Sequence, residues 1–236
     1  QREFIASITH ELKTPIAVIQ SASDNMQAGI IQDTEKTMEY GSLISAQGRK
    51  LKDMIDSLLV YARIGSNGKR TMHSMDVSDL AGSVCESMKE QIQKAGFRLE
   101  LMLAGSAMIM ADKNALELAV RNLVQNSLVH AKNGAFLGVD VYTEKDAKNK
   151  KGSSVYIRIR DRGPGIPRRE QKLVFDPFYR GEQAVRDQHP GSGLGLSLVR
   201  RIAEAHGGTL SYESRVKLGS MFIIRLPMDE RYEHKD

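Results

Sequence analysis

Apolar positions along the first 64 residues have the spacing of two long amphipathic helices. At 100° per residue, one apolar set in the first helix spans only about 80° of arc. Its members are Phe4, Ile8, Leu12, Pro15, Ile19 and Ala22. In the second helix apolar residues recur with a seven-residue period, which is typical of a coiled-coil seam. They are Ile44, Leu51 and Leu58, with Met54 and Tyr61 at the interleaved positions and Gln47 as an exception.

A turn separates the two predicted helices. Gly29 marks the turn, and either Asp33 or Thr34 supplies the N-cap of the second helix. A lone pair of helices buries little apolar surface. We therefore expect the hairpin to pair with a second copy into a dimeric four-helix bundle.

Beyond a linker, helix-type and strand-type patterns alternate. The linker is "IGSNGKR", residues 64–70, a run of turn-forming residues followed by charge. Periodicity predicts helices over 78–94, over 113–131 and after Gly195, and strands over 97–103, 107–112, 135–144, 154–161, 208–214 and 220–227. The predicted fold class is therefore α+β. We divide the chain into a hairpin (1–64), a linker (65–75), a mixed domain (76–230) and a polar tail (231–236).

Composition narrows the possible functions. The chain is 41% hydrophobic and 27% charged, with a formal net charge of +5. No apolar run is long enough to span a membrane, and no basic helix or aromatic–basic ladder marks a nucleic-acid surface, so we expect no nucleic-acid partner. The single cysteine, Cys85, excludes internal disulfides and paired-cysteine metal sites. The positive balance suits a phosphate-rich ligand or an acidic partner equally well.

The segment "ITHELKTPIA", residues 8–17, places reactive side chains beside a helix-breaking proline. His10 lies about 160° from the middle of the apolar stripe, so we expect it to face solvent, with Thr14 one turn on. Glu11 is adjacent, and Pro15 removes the N–H that would bond the Glu11 carbonyl, which predicts a bend. A solvated face with a tolerated kink would explain an isolated histidine. An acid, a hydroxyl and a bend around one imidazole favour a displayed nucleophile whose proton a carboxylate can accept.

Three further segments suit a nucleotide. Asn122 and Asn126 share one helix face, and their amide oxygens suit Mg²⁺, although two exposed asparagines would give the same spacing. Asp161 opens "DRGPGIP" at a strand end, where it can accept a hydrogen bond from an exocyclic amine such as that of adenine. The glycines of "GSGLGL", residues 191–196, precede a helix and let backbone N–H groups approach phosphates. This loop is neither a Walker A loop nor a convincing dinucleotide fingerprint.

Together and in this order, these segments resemble the conserved boxes of the histidine kinases of two-component signalling. "FIASITHELKTPIA" is similar to the H box, "NLVQNSLVHA" to the N box, "DRGPGIP" to the G1 box, "FDPFYR" to the F box and "GSGLGLSLV" to the G2 box. Each motif alone is weak, but five in order are highly specific. The resemblance implies a dimeric phosphotransfer hairpin followed by an α/β two-layer sandwich that binds ATP, of the type shared with gyrase and Hsp90.

The resemblance also implies roles for individual residues. His10 matches the phosphoacceptor, Glu11 the acid that assists proton transfer, and Thr14 the position that helps to place water when the regulator is dephosphorylated. Asn126 matches the Mg²⁺ ligand, and Asn122 stands where gyrase-type ATPases have a glutamate base. The remaining nucleotide-contacting positions are Asp161, for adenine, and Gly163, Gly165, Ile166, Gly191, Gly193, Leu194 and Gly195, with residues 181–192 as the ATP lid.

The chain departs from the family's N box at two positions. Where a basic residue followed by a tyrosine is common, this chain has Val129 and His130. Val129 cannot contact a phosphate, so Lys132 or Arg180 is the candidate substitute. His130 either takes the tyrosine's place beside the nucleotide or caps the helix. We include His130, Lys132 and Arg180 among the candidate nucleotide-binding residues.

The leading hypothesis is an ATP-dependent protein-histidine kinase that phosphorylates His10, passes the phosphoryl group to an aspartate of a response-regulator receiver domain, and acts as a phosphatase on that regulator. The alternative is a catalytically weak scaffold or phosphatase that binds a receiver domain. A gyrase- or Hsp90-like ATPase is disfavoured by the H box and by Asn122. We expect a homodimer, ATP and Mg²⁺ as ligands, and the cytoplasmic part of a sensor with a membrane anchor upstream. The stimulus, the cognate regulator and the choice between cis and trans phosphorylation stay open.

Overall fold

The structure, a computed structural model, describes residues 2–29, 33–65, 72–132, 134–145, 153–187, 189 and 191–229. The chain divides into two compact units, residues 1–62 and 63–236. The predicted polar tail, 231–236, lies outside the described residues, as does most of the linker sequence 64–70. None of the described helices is long and apolar enough to cross a membrane.

The first unit is built from two helices, α1 (Arg2–Gln27) and α2 (Thr34–Gly65). Asp33 caps α2, because its Oδ1 accepts a hydrogen bond from the Glu35 N–H at 3.0 Å and its carbonyl accepts from the Thr37 N–H. This resolves the choice between Asp33 and Thr34. Gly29, with φ +66°, lies in the turn as predicted.

Burial along both helices follows the predicted apolar faces. In α1 the described members of the stripe are buried or half-buried, namely Ile8, Leu12, Pro15, Ile19 and Ala22. In α2 the seam positions Ile44, Gln47, Leu51, Leu58 and Tyr61 are half-buried and Met54 is buried. Other large apolar side chains of the unit are exposed, including Ile16, Met38, Leu43, Ile55 and Leu59. Such a remainder of exposed apolar surface is expected of a hairpin that needs a partner.

The second unit contains seven strands and five α-helices among its described residues. The helices are α3 (Val77–Ser87), α4 (Lys89–Lys94), α5 (Lys113–His130), α6 (Glu182–Arg186) and α7 (Gly195–Ala205). The strands are β1 (His73–Asp76), β2 (Arg98–Leu103), β3 (Met108–Ala111), β4 (Phe136–Lys145), β5 (Ser153–Asp161), β6 (Thr209–Arg215) and β7 (Gly219–Pro227). Strands β1 and β3 form an antiparallel pair, and the other five form a sheet of order β2-β4-β5-β7-β6 in which only β2 and β4 run parallel.

Helices α3, α5 and α7 cover one face of the five-stranded sheet. Alternate residues of the central strands are buried beneath them, as the period of two requires. These residues are Leu137, Val139 and Val141 of β4, Val155, Ile157 and Ile159 of β5, and Phe222, Ile224 and Leu226 of β7. The unit is therefore a two-layer α/β sandwich, and the predicted α+β class is confirmed.

Local periodicity predicted most elements but not all. The helix predicted over 78–94 is two helices, because the backbone leaves the helical region at Met88, with φ −101° and ψ 2°. Strand β1 overlaps the end of the predicted linker, where no strand was expected. The short helix α6 lies within the predicted lid, 181–192. Strand β1 and helix α6 are too short to carry a clear repeat of their own.

Candidate nucleotide-binding site

Helix α5 holds the centre of the candidate site. Asn122 lies on it with its amide Nδ2 donating to the Leu118 carbonyl at 2.9 Å. A Cβ added to Gly195, the first residue of α7, would lie 3.0 Å from the Asn122 Oδ1. The start of α7 therefore approaches α5 at Asn122, and only glycine permits that distance without adjustment. Asn126 follows one turn later and is half-buried on the same helix face.

Asp161 ends strand β5 beside the C-terminal half of α5. Its Oδ1 accepts hydrogen bonds from the Gly163 N–H at 2.9 Å and the Ser220 N–H at 3.1 Å. Burial raises the pKa of the Asp161 carboxyl, while hydrogen bonds from Gly163, Ser220 and the Ser127 hydroxyl lower it. The carboxylate is thus held in one orientation by three donors in a largely desolvated place.

The turn after Asp161 is fixed by close backbone contacts. A Cβ on Gly163 would lie 2.8 Å from the Cβ of Ala131, which follows α5. Gly165 has φ +71°, and a Cβ there would overlap the Arg215 carbonyl oxygen. The Ile166 N–H donates to the Ser214 hydroxyl at 2.8 Å. The turn is therefore packed against both α5 and the β6–β7 hairpin.

The predicted glycine loop connects the lid segment to α7. Gly193 has φ +71°, its carbonyl accepts from the Phe178 N–H at 3.0 Å, and a Cβ on it would lie 2.6 Å from the Phe178 carbonyl carbon. Leu194 is buried, and no side chain caps α7 at this position. Gly191, with φ +150°, has open space at its Cβ position. An uncapped helix start after glycines leaves N–H groups for an anion.

The two basic residues that could replace the one missing at position 129 occupy different places. Val129 is buried, as expected for a residue that contacts no phosphate. Lys132 is exposed in the turn after α5. Arg180 is half-buried, and its guanidinium donates to the His189 carbonyl at 2.6 Å and to the Ala184 carbonyl at 3.5 Å. Arg180 therefore binds the backbone of the predicted lid, whereas Lys132 is accessible, and the phosphate contact of either residue stays a prediction.

His130 ends α5 next to the lid. Its Nδ1 lies 3.3 Å from the Nδ1 of His189, with the two rings in a T-shaped arrangement. Although part of His130 is exposed, its pKa is lowered from 6.5 to about 4, chiefly by desolvation and to a lesser extent by the charges of His189 and Arg180. His130 is therefore neutral near pH 7. His130 thus contacts His189, and its predicted place beside the nucleotide stays a prediction.

The pKa of His130 predicts a pH dependence of stability. Because the folded chain holds this pKa below its unfolded value of 6.5, protons favour the unfolded chain, and the stabilisation present above that value is lost as the pH falls toward 4. We expect the calorimetric melting midpoint of the wild-type chain to fall more between about pH 7 and about pH 5 than that of His130→Gln, whose side chain does not titrate. Parallel curves for the two proteins would contradict this assignment.

Two residues near the site were not found from the sequence. Ser127 is buried and donates to Asp161, and His189 contacts His130. A hydroxyl inside the apolar run around Leu123 and Leu128 was the available signal for Ser127. No local pattern distinguishes His189 within its polar loop, since its partner lies 59 residues away along the chain.

The predicted phosphotransfer residues belong to the other unit, in helix α1. The His10 backbone is helical, but its side chain lies outside the described residues, so its predicted orientation stays a prediction. Glu11 is half-buried, Thr14 is exposed and Pro15 is buried. Helix α1 continues through Pro15.

Comparison with known proteins identifies both units. Residues 1–67 match the family model described as His Kinase A (phospho-acceptor) domain, and residues 111–230 match that of the histidine kinase-, DNA gyrase B- and HSP90-like ATPase. The sensor-like histidine kinase SenX3 of Mycobacterium tuberculosis is 27% identical over 237 residues, which cover 100% of this chain and 56% of SenX3. The chain thus spans about half the length of this relative.

Solved structures share the fold. The histidine kinase ThkA in complex with the response regulator protein TrrA superposes with a TM-score of 0.70 at 22% identity, covering 98% of this chain and 62% of that one. Full-length ShkA in complex with AMPPNP gives a TM-score of 0.66 at 21% identity, covering 96% and 46%. The chain belongs to the histidine kinase family, and it corresponds to the catalytic core of sensor histidine kinases.

Proposed function

We propose that this core uses ATP to phosphorylate its own His10 and then passes the phosphoryl group to an aspartate of a response-regulator receiver domain. One observation carries the proposal. A single chain joins a phospho-acceptor hairpin to an ATPase-type unit in which Asn122, Asp161 and Gly195 converge on helix α5. Neither part alone would support transfer to histidine.

The nucleotide roles follow from the chemistry of each group. The Asp161 carboxylate, fixed by its backbone donors, accepts a hydrogen bond from the exocyclic amine of adenine. Gly163, Gly165 and Ile166 shape the turn around the base. The glycine loop leads into the uncapped start of α7, whose N–H groups suit phosphates. The loop residues proposed to contact the nucleotide are Gly191, Gly193, Leu194 and Gly195. The bound AMPPNP of full-length ShkA supports ATP as the ligand.

A Mg²⁺ ion fits this site only if phosphates complete its coordination. Asn126 presents a half-buried amide, and the described residues contain no group of three or more His, Cys, Asp or Glu side chains that could hold a metal. Mg²⁺ commonly binds through one or two protein oxygens together with substrate phosphates and water. We therefore assign the Asn126 amide oxygen as its protein ligand. The ion would neutralise charge on the phosphates.

The phosphoryl step uses residues of the first unit. A neutral His10 nitrogen forms the N–P bond to the γ-phosphorus, the bond to the β–γ bridging oxygen breaks, and ADP leaves with that oxygen. Glu11 accepts the proton that the imidazole releases. Asn122 has no basic group with which to activate water. Its identity therefore favours transfer to histidine over ATP hydrolysis.

Partner chains complete the proposed cycle. The ThkA–TrrA complex supports a receiver domain as phosphoryl acceptor, and the exposed apolar residues of the hairpin support a homodimer with a four-helix bundle. Thr14, exposed on α1, would help to place water for dephosphorylation of the regulator. We further propose the division into hairpin 1–64 and ATP-binding domain 76–230, and a membrane anchor in the remainder of the sensor.

Incubation of the chain with Mg²⁺-ATP tests the proposal. We expect label from the γ-phosphate to appear on the protein as phosphate that is lost in acid and retained in base, since a phosphoramidate has that stability. Transfer of this label to one member of a panel of receiver domains should follow. A chain that binds a receiver domain and never acquires label would instead support the alternative, a scaffold or phosphatase. Rapid release of free phosphate would support a gyrase-like ATPase.

A further inference from the structure

The segment from Arg180 to His189 is held together by hydrogen bonds between its own residues. Arg180 donates to the carbonyls of Ala184 and His189, and the His189 N–H donates to the Ala184 carbonyl at 2.9 Å. At its start, Arg169 forms an ion pair with Glu182 at 2.6 Å. The described part of this segment is therefore a folded piece that includes helix α6.

This folded segment meets α5 through a pair of histidines. The Nδ1 atoms of His130 and His189 are 3.3 Å apart, a distance at which one neutral ring donates to the other. His130 stands four residues after Asn126 and eight after Asn122, so all three lie on one face of α5. The lid contact thus falls at the end of the row of side chains that face the proposed nucleotide site.

We propose that His189 is a positioning residue that fastens the lid to α5 through His130 and thereby slows release of the nucleotide. The proposal rests on the proposed ATP binding. It concerns His130, at which this chain differs from the common N-box residue, and His189, which belongs to none of the five boxes. Arg180 takes part indirectly, because it fixes the His189 carbonyl. The groups that face His130 from the lid are His189 and the Arg180 guanidinium.

The first test measures, without nucleotide, whether the contact between His130 and His189 holds the lid. Arg186 is exposed in the lid, so trypsin cleavage after it reports how tightly the segment is held. We expect His130→Ala and His189→Ala to raise this cleavage rate by similar factors without lowering the melting midpoint enough to explain it. His73→Ala, at an exposed histidine of β1, is the matched control and should leave the rate unchanged. Equal cleavage of all four proteins would overturn the proposal.

The second test measures nucleotide affinity in a double-mutant cycle. Loss of one hydrogen bond predicts a rise in the dissociation constant for Mg²⁺-ATP of roughly 2- to 10-fold in either alanine variant, with faster dissociation. The double variant should show no further rise, because the two residues act through one contact. His189→Asn, which keeps a polar atom near the Nδ1 position, should retain most of the wild-type affinity that His189→Ala loses.

The outcomes separate this inference from the proposed function. Multiplied effects in the double variant, or a wild-type affinity that neither alanine changes, would refute the lid contact while leaving ATP binding intact. A wild-type chain that fails to bind ATP at all would refute the proposed function. In that case the cleavage rates still decide whether His130 and His189 hold the lid.

Discussion

Replacing His10 by glutamine is expected to abolish labelling of the chain by ATP while leaving nucleotide affinity unchanged. Glutamine has a size and polarity close to those of histidine, but its amide nitrogen is not a nucleophile. The proposed nucleotide-contacting residues all belong to the unit of residues 63–236, whereas His10 belongs to the unit of residues 1–62. A change at His10 therefore removes the acceptor and not the donor site.

Two quantities are measured for each variant: the amount of acid-labile phosphate on the protein and the dissociation constant for Mg²⁺-ATP. Glu11→Gln is the informative neighbour, because a lost general base slows such a step by roughly 10²- to 10⁴-fold without removing the acceptor. We expect labelling of this variant to be slow and to reach completion with time. Labelling of His10→Gln at the wild-type rate would show that another residue is the acceptor.

Side-chain periodicity predicted the long elements of the fold. The apolar stripe of α1 and the seven-residue seam of α2 are visible in the sequence because burial repeats over many turns. Strand β1 has four residues, and its pairing with β3 depends on contacts about thirty-five positions away. The break at Met88 was also missed, since the apolar spacing runs on through it. Elements that are short, or that are interrupted without a change in the apolar spacing, cannot be predicted from local periodicity.

The candidate site divides in the same way. Asn122, Asp161 and the glycines could be proposed from the sequence because each residue type has a chemical reason to stand at its position. Ser127 and His189 could not, because their importance arises from the partner that the fold brings to each of them. Arg180 was one of two candidates for a phosphate contact, and in the structure its guanidinium donates to the Ala184 and His189 carbonyls. Residue type indicates chemistry, and only the fold shows which partner satisfies it.

The Asp161→Asn variant is expected to lose most of its affinity for ATP without losing its fold. The Asn Oδ1 can still accept from the Gly163 and Ser220 N–H groups, which orients the amide NH₂ as the other arm. That arm is a donor and meets the donating amine of adenine. Loss of a hydrogen bond to a charged group predicts a rise in the dissociation constant of roughly 10- to 150-fold.

Stability should change in the opposite direction from affinity. Burial raises the pKa of Asp161, so the fold favours the protonated form, and the associated stability is present at low pH and is lost as the pH rises through the folded pKa. The neutral amide avoids that loss. We therefore expect the melting midpoint of Asp161→Asn near neutral pH to equal or exceed that of the wild-type chain.

Two comparisons decide whether Asp161 acts through adenine. Asp112→Asn is the matched control: Asp112 caps α5 by accepting from the Ala115 N–H, which asparagine also does, so affinity should be unchanged. The discrimination between ATP and GTP is the second measure. The new amide donor can pair with the carbonyl of guanine. The affinity of Asp161→Asn for ATP should therefore fall by a larger factor than its affinity for GTP. An equal loss of affinity for ATP and GTP would show that the substitution disturbs the whole site and does not act through recognition of the base.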